Sequence, residues 1–253
     1  MYPQDLFLGI SLYEIMIALG IIVALLTARA AMSKASFSKN EIRFFLIAAY
    51  ASIIIGFLGA ILFQSIYTYI STKIFAYSGM TFLGGLIVGS ITFFIIFFLF
   101  GKNVKKRIFD FINIAPISIC FAHAIGRIGC FFSGCCYGKL TNSNYGVIYD
   151  KSTYAYYIFG EGRTHPVQLY EFFFLIALGL VLLLLLFKKK EKYNLAIYLT
   201  HYGVFRFLIE FIRADDRGGL SFLSPSQFQS IILFIVGTII IIYNKKRRVE
   251  NAF

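Results

Sequence analysis

An all-α, polytopic membrane protein is the fold class this sequence predicts, with about seven spanning helices, an outer N-terminus and a cytoplasmic C-terminus. Three observations predict it. The 253 residues are 59% hydrophobic and only 14% charged, with mean hydropathy +0.78, whereas soluble domains run near half apolar and about a quarter charged. Apolar runs of roughly 17 to 25 residues, enough to cross a bilayer, recur along the whole length. Basic residues collect in the short connections between those runs. One transmembrane domain, 1–253, accounts for the length, with an outer-face connection at about 133–164.

The first apolar run, 11–31, carries Tyr13 and Glu14 near its start. No basic segment and no small-residue cleavage site precede Leu12, so it reads as a retained helix. A basic connection at 33–43 leads to a second helix over 44–63, and 64–77 reads as an aromatic, weakly polar connection. The stretch 78–89 is dense in glycine. Gly84 and Gly85 suit either close approach of helix backbones or a helix N-terminus with amides open to an anion. The third helix ends near Phe100, and the fourth covers 111–132. The connection 133–164 is long and rich in Tyr, Gly, Ser and Asn. Such a length is functional or disordered, and the tyrosines favour an ordered element on the membrane surface. HPVQLYE, 165–171, opens the fifth helix, with Pro166 where a helix start tolerates it. The sixth helix covers 195–212, a charged loop with Arg213, Asp215, Asp216 and Arg217 follows, and the seventh covers 227–243.

The charges set an orientation. Fifteen basic residues flank alternate connections on one side: Lys34, Lys39, Arg43, Lys102, Lys105, Lys106, Arg107, Lys188, Lys189, Lys190, Lys192, Lys245, Lys246, Arg247 and Arg248. Six fall on the other: Lys73, Lys139, Lys151, Arg163, Arg213 and Arg217. The richer side belongs in the cytoplasm. The net charge of +12 is therefore a topology signal, and no nucleic-acid partner is expected. No internal repeat supports an inverted-repeat transporter.

Two arginines, Arg127 and Arg206, lie within spanning segments. A charge there faces a bundle interior or a cavity and marks function. Glu210 is four residues after Arg206 and shares its helix face. Arg127 has no acid nearby on its own helix. It needs an external anion, a cage of carbonyls, or Glu171 or Glu210. A lipid phosphate suits the forked donors of a guanidinium. His123, Arg127, Cys130 and Gly134 form one helical stripe. His123, one turn below Arg127, is either a general base or a histidine bonded to a helix carbonyl. Four cysteines, at 120, 130, 135 and 136, include no C-x-x-C pair. Their count leaves buried thiols, a disulfide and a metal site open.

The segment G-R-I-G-C-F-F-S-G-C-C-Y-G, 126–138, resembles the signature G-R-x-G-N-F-x-N-x-E-x-x-G of bacterial prolipoprotein diacylglyceryl transferases. HPVQLYE resembles their H-P-S-Q-L-Y-E block, and 78–89 their H-G-G-L block. Arg206, Glu210-Phe-Ile and Arg213 resemble R-x-x-x-E-F-F-R, 224–230 resembles the opening of the last helix, and Tyr13 stands at a family tyrosine. The resemblance covers nearly the whole chain. It implies transfer of the diacylglyceryl group of phosphatidylglycerol to the lipobox cysteine of a prolipoprotein signal peptide, in a bacterial cytoplasmic membrane. A thioether forms and glycerol phosphate leaves, with no cofactor and no metal. It implies catalytic roles for Arg127, Arg206, Glu210 and Tyr13, with His123 as a replacement base. Substrate contacts fall to Arg127, Arg206, Gly84, Gly85, Gly138, His165, Gln168 and Tyr170.

The chain also departs from the pattern. Leu83 replaces the histidine before the double glycine. Cys130 and Ser133 replace the two asparagines, Cys135 replaces the glutamate, and Glu14 follows Tyr13 where glycine is usual. Cys130 with Cys135 or Cys136 could form an outer-face disulfide. A metal held by these thiols with His123 is the weaker reading, because adjacent cysteines rarely both ligate one ion. The alternatives are a relative that serves another acceptor from an anionic phospholipid, and a non-catalytic binder of lipid or signal peptide.

Overall fold

A computed structural model describes residues 5–7, 10–76, 79–215 and 222–250. Ser78, Asp216, Arg217 and the side chain of Leu83 lie outside the described residues. The chain is built of helices: α1 (Leu12–Lys34), α2 (Lys39–Thr72), α3 (Phe82–Phe100), α4 (Ile108–Ser133), the short α5 (Tyr154–Phe159), α6 (Val167–Phe187), α7 (Asn194–Ile209) and α8 (Pro225–Glu250). A two-stranded ribbon, Asp5–Phe7 with Ile10–Ser11, precedes α1. Six described helical segments are long and apolar enough to cross a membrane, and α3 adds a shorter apolar helix, Gly84–Phe100. The chain divides into two compact units, Met32–Phe109 and Met1–Ala31 with Asp110–Phe253.

In the first unit, Ser38 caps α2. Its hydroxyl accepts from the Glu41 amide at 3.3 Å, and the Glu41 carboxylate accepts from the Ser38 amide at 2.7 Å, which satisfies two orphan donors reciprocally. Arg107 holds this turn through the Ala35 carbonyl (2.9 Å) and the Phe37 ring (4.0 Å). The expected connection at 64–77 is helical as far as Thr72. Weak polarity does not stop a helix; a left-handed residue does, and Lys73 at φ 61° closes it with its amide on the Tyr69 carbonyl at 2.8 Å. The 34 residues span about 51 Å at 1.5 Å per residue, well beyond the ~30 Å apolar layer.

α3 packs on α2 through small residues. A Cβ on Gly56 would lie 3.0 Å from the Gly85 carbonyl oxygen, and one on Gly84 would lie 2.6 Å from Phe63 Cβ. The Gly85 amide donates to Thr81. Gly84, Gly85 and Gly89 therefore serve helix approach, and the Gly85 amide is already engaged.

In the second unit, Glu14 accepts from the Ser11 amide at 2.7 Å. The acid at this unusual position thus closes the start of α1 as a cap. α4 is the hub. A Cβ on Gly129 would meet Met16 and Tyr13 of α1, and one on Gly179 of α6 would meet Cys120 and Phe121. α7 and α8 close on one another at Gly203 and Gly237.

The long connection between α4 and α6 is ordered. Tyr137, Tyr149 and Ala155 form its small core, with Tyr156, Phe159 and Ala214 against it. Backbone hydrogen bonds join three separate segments. The Gly138 amide donates to His165 (3.1 Å), His165 to Lys139 (3.0 Å), Lys139 to Ile212 (2.8 Å) and Ala214 to Tyr137 (3.1 Å). A Cβ on Gly138 would fall 2.6 Å from the His165 oxygen, so this crossing requires glycine. The expected substrate residue Gly138 thus has a structural task.

Candidate active site

Four elements of the second unit deliver the site: the end of α4, the start of α6, the end of α7 and the start of α8. Glu171, one turn into α6, is fully buried. Its carboxylate faces Arg127 of α4 with both oxygens, Oε1 to Nη2 at 2.9 Å and Oε2 to Nε at 2.9 Å. The Tyr202 hydroxyl of α7 donates to the same Oε1 at 2.9 Å. His123 Nε2 stands 3.5 Å from it, and the His123 ring meets Tyr202 edge-on at 5.7 Å. Of the partners open to Arg127 in the sequence, the structure selects Glu171. His123 stands beside a carboxylate, the arrangement of a base next to an orienting acid.

Arg206 is buried too. Its Nη1 meets Glu210 Oε2 at 2.5 Å, and its Nη2 donates to Ser226 Oγ of α8 at 2.8 Å. The shared face of Arg206 and Glu210 is as the spacing predicts. The last turn of the expected sixth helix tightens into a 3-10 turn, Glu210–Ile212, which swings Arg213 inward. Arg213 Nη2 donates to Asp215 at 2.7 Å, and Nε stands 3.7 Å from Glu210. Arg206 lies within electrostatic reach of Glu171 and His123. Three buried guanidiniums are thus interleaved with three carboxylates. A buried charge requires this pairing, and pairing fixes each fork in one orientation.

Beside the chain of charges lie the cysteines. α4 ends at Ser133, and Gly134 follows at φ 68° with Cys136 at φ 61°. Two left-handed residues in three fold the loop back over the helix end. The sulfurs of Cys130, Cys135 and Cys136 come within 4.8 Å of one another. Cys120 lies buried apart in α4, and no disulfide is present in this structure, while the three sulfurs expected to form a disulfide or thiol cluster do come together. Hydrogen bonds from Cys130 and Cys135 hold the Cys136 thiol far below its ordinary range, with Arg213 and Arg127 adding to the effect. Burial works against the Arg213 charge, but Cys136 and Asp215 outweigh it and keep the group ionised. Tyr13 lies within electrostatic reach of Arg127 and the three sulfurs.

The remaining candidates support the loop. Gln168 is fully buried. Its Nε2 donates to the Cys135 carbonyl at 2.5 Å, and its Oε1 accepts from the Tyr149 hydroxyl at 3.0 Å. Burial pushes the Tyr149 phenol up to about 12, so it stays a donor. His165 Nδ1 and the Tyr170 hydroxyl are 3.3 Å apart. Gly84 and Gly85 belong to the other unit. A cavity of about 720 Å³ beside this layer is lined by Phe131, Ile148, Tyr149, Asp150, Lys151, Tyr156 and Glu161.

The sequence reading singled out neither Tyr202, Ser226 nor Arg213 as a site residue, and it assigned Glu171 no role beyond a potential partner. Glu171 carried a signal, as an acid in an apolar run. Ser226 lay within the 224–230 block, which did not single it out, and Tyr202 carried no signal.

The family model of the prolipoprotein diacylglyceryl transferases matches residues 5–243. The chain belongs to the prolipoprotein diacylglyceryl transferase family. Its similarity to individual relatives runs end to end. The phosphatidylglycerol–prolipoprotein diacylglyceryl transferase of Clostridium tetani is 32% identical over 249 residues, 93% of this chain and 92% of the relative. The enzyme of the same description from Streptococcus mutans is 33% identical, covering 94% and 92%. The second such transferase of Clostridium perfringens is 37% identical over 60% of this chain and 58% of its own. Within this transferase family member, the signature segment and the HPVQLYE block meet physically through Arg127–Glu171 and through Gln168 on Cys135.

Proposed function

We propose that this chain moves the diacylglyceryl group of phosphatidylglycerol to the lipobox cysteine of prolipoproteins in a bacterial cytoplasmic membrane. The observation that carries this reading is the run Arg127–Glu171, Arg206–Glu210 and Arg213–Asp215. The acceptor sulfur attacks the terminal glyceryl carbon, the carbon–oxygen bond to phosphorus breaks, and glycerol phosphate gains charge as it leaves. Oriented guanidiniums in a water-poor site stabilise that charge where it develops. The carboxylates keep the resting site near neutral, so it holds an anionic headgroup without trapping the dianionic product. His123, beside Glu171, is the base for the acceptor proton, and Tyr13 lines the site.

Both units belong to one transferase domain in this reading, since the family match runs through both. The charge asymmetry supports an outer N-terminus and an outer-face layer at 133–164. That layer receives the signal peptide, while the bilayer supplies the lipid.

The test is to incubate the purified protein with phosphatidylglycerol and a lipobox peptide and to seek the thioether adduct by mass spectrometry. Adduct formation, lost in Arg206→Ala, is the expected result. No adduct where a relative's enzyme works rejects the reading. The cysteines at the positions of the family asparagine and glutamate favour, as second reading, a different acceptor. Glycerol phosphate release that needs a membrane extract in place of the peptide would select it.

A further inference from the structure

The geometry points to a thiophilic metal site: Cys130, Cys135 and Cys136 form a three-sulfur cradle for a zinc-type divalent cation whose open fourth position takes the acceptor thiol. The fit rests on convergence. The three sulfurs lie within 4.8 Å of one another, and three thiolates on zinc at about 2.3 Å stand roughly 3.8 Å apart, so binding an ion asks for a contraction of about 1 Å or less. Adjacent cysteines usually diverge, yet the left-handed backbone at Gly134 and Cys136 turns both loop sulfurs toward Cys130 at the helix end. Gln168 fixes this turn through the Cys135 carbonyl. Among the described residues no fourth His, Cys, Asp or Glu joins the group. Three protein ligands with an open position are the pattern of a reactive zinc site, while structural sites close with four.

The electrostatics suit the same ligand. Three thiolates exceed a divalent cation by one negative charge. Arg213, whose Nη2 stays on Asp215, lies against Cys136 with its Nη1 buried and without an oxygen or nitrogen partner, and it offsets part of that excess. Cys135 is exposed, so an ion reaches the cradle from solvent. The role deepens the proposed function and rests on it. Coordination acidifies the acceptor thiol so that it gives its proton up to His123, the base of the proposed function, and its sulfur keeps a lone pair for the attack on the glyceryl carbon. The sulfur–carbon bond forms as the carbon–oxygen bond breaks, and the electron pair leaves with glycerol phosphate. The metal ion itself is neither oxidised nor reduced. This supplies acceptor activation in a chain where Leu83 stands in place of the family histidine.

The experiment loads reduced, full-length protein with Zn²⁺, and in parallel with Co²⁺, then removes excess by dialysis. One Zn²⁺ per chain and a sulfur-to-cobalt charge-transfer band are expected. The exposed-loop variant Cys135→Ser should lose both, and Cys120→Ala neither. Adding a lipobox peptide should shift the band, and its cysteine-to-serine version should not. No stoichiometric metal, or equal loss in Cys120→Ala, overturns the site. Transfer at full rate in the metal-free protein overturns its role and leaves the transferase reading intact. Metal bound, with its band shifted by the peptide thiol but no thioether formed, keeps the site and rejects the transferase reading instead.

Discussion

At the residue scale, Glu171 joins Arg127, Tyr202 and His123 on one carboxylate. Removing one member of a buried ion pair costs about 3–5 kcal/mol, because the other charge is left alone. Glu171→Gln is therefore expected to lower the melting temperature in detergent, and Arg127→Ala to lower it comparably. The double variant Arg127→Gln/Glu171→Gln should regain most of the stability and none of the transfer, measured as thioether formed. A loss of activity that recovered with stability would mean the arginine only holds the fold. Arg206→Lys keeps the charge and loses the fork to Glu210 and Ser226. It should slow transfer by about 10²-fold, the size of one lost transition-state donor. Much of this site was legible in advance. A charge in an apolar run must find a partner, which pointed to Arg127, Arg206 and Glu210. Arg213 was not, because its burial comes from pairing of 137–139 with 212–214, and no local pattern encodes that contact. Tyr202 is one of 17 tyrosines and carries no mark that separates it from packing residues.

At the element scale, two features govern how the site is held. Gln168 and Tyr149 pin the turn over the end of α4. Tyr149→Phe leaves Gln168 Oε1 short of a donor in a buried place, at about 1–3 kcal/mol. Faster amide exchange confined to the segment around 134–149 is the expected signature. Exchange that rises evenly along the chain would contradict it. In the other unit, Gly56→Leu forces a branched side chain against the Gly85 backbone. Overpacking of this kind costs about 1–3 kcal/mol and should appear as earlier proteolytic cutting within Met32–Phe109. The helices themselves were readable from apolar runs, with one instructive exception. The sequence marks where the membrane ends, not where a helix ends, so α2 continued past the expected stop until Lys73 turned left-handed.

At the scale of the whole molecule, the charge asymmetry is the property that sets orientation. Single cysteines introduced at Ser152 and at Lys190, in a chain otherwise without cysteine, report it. A membrane-impermeant maleimide applied to intact cells should label the first and spare the second. The reverse pattern would place 133–164 in the cytoplasm and remove it as the signal-peptide surface. The cradle of cysteines adjoins the layer at 133–164, so the chemistry of the acceptor and the topology of the chain are tested by neighbouring positions.

The crossing at Gly138 has one more consequence. The segments 137–139, 164–165 and 212–214 are joined almost wholly by backbone amides and carbonyls, groups that every residue except proline carries in full. Apart from Gly138, where only glycine fits, side chains on this lattice can be exchanged without breaking its hydrogen bonds. That makes the frame evolvable: it holds the chain just after the cysteine turn in place, so asparagine and glutamate can give way to sulfur at 130 and 135 beside it, and a lineage can trial new chemistry while the fold stands unchanged.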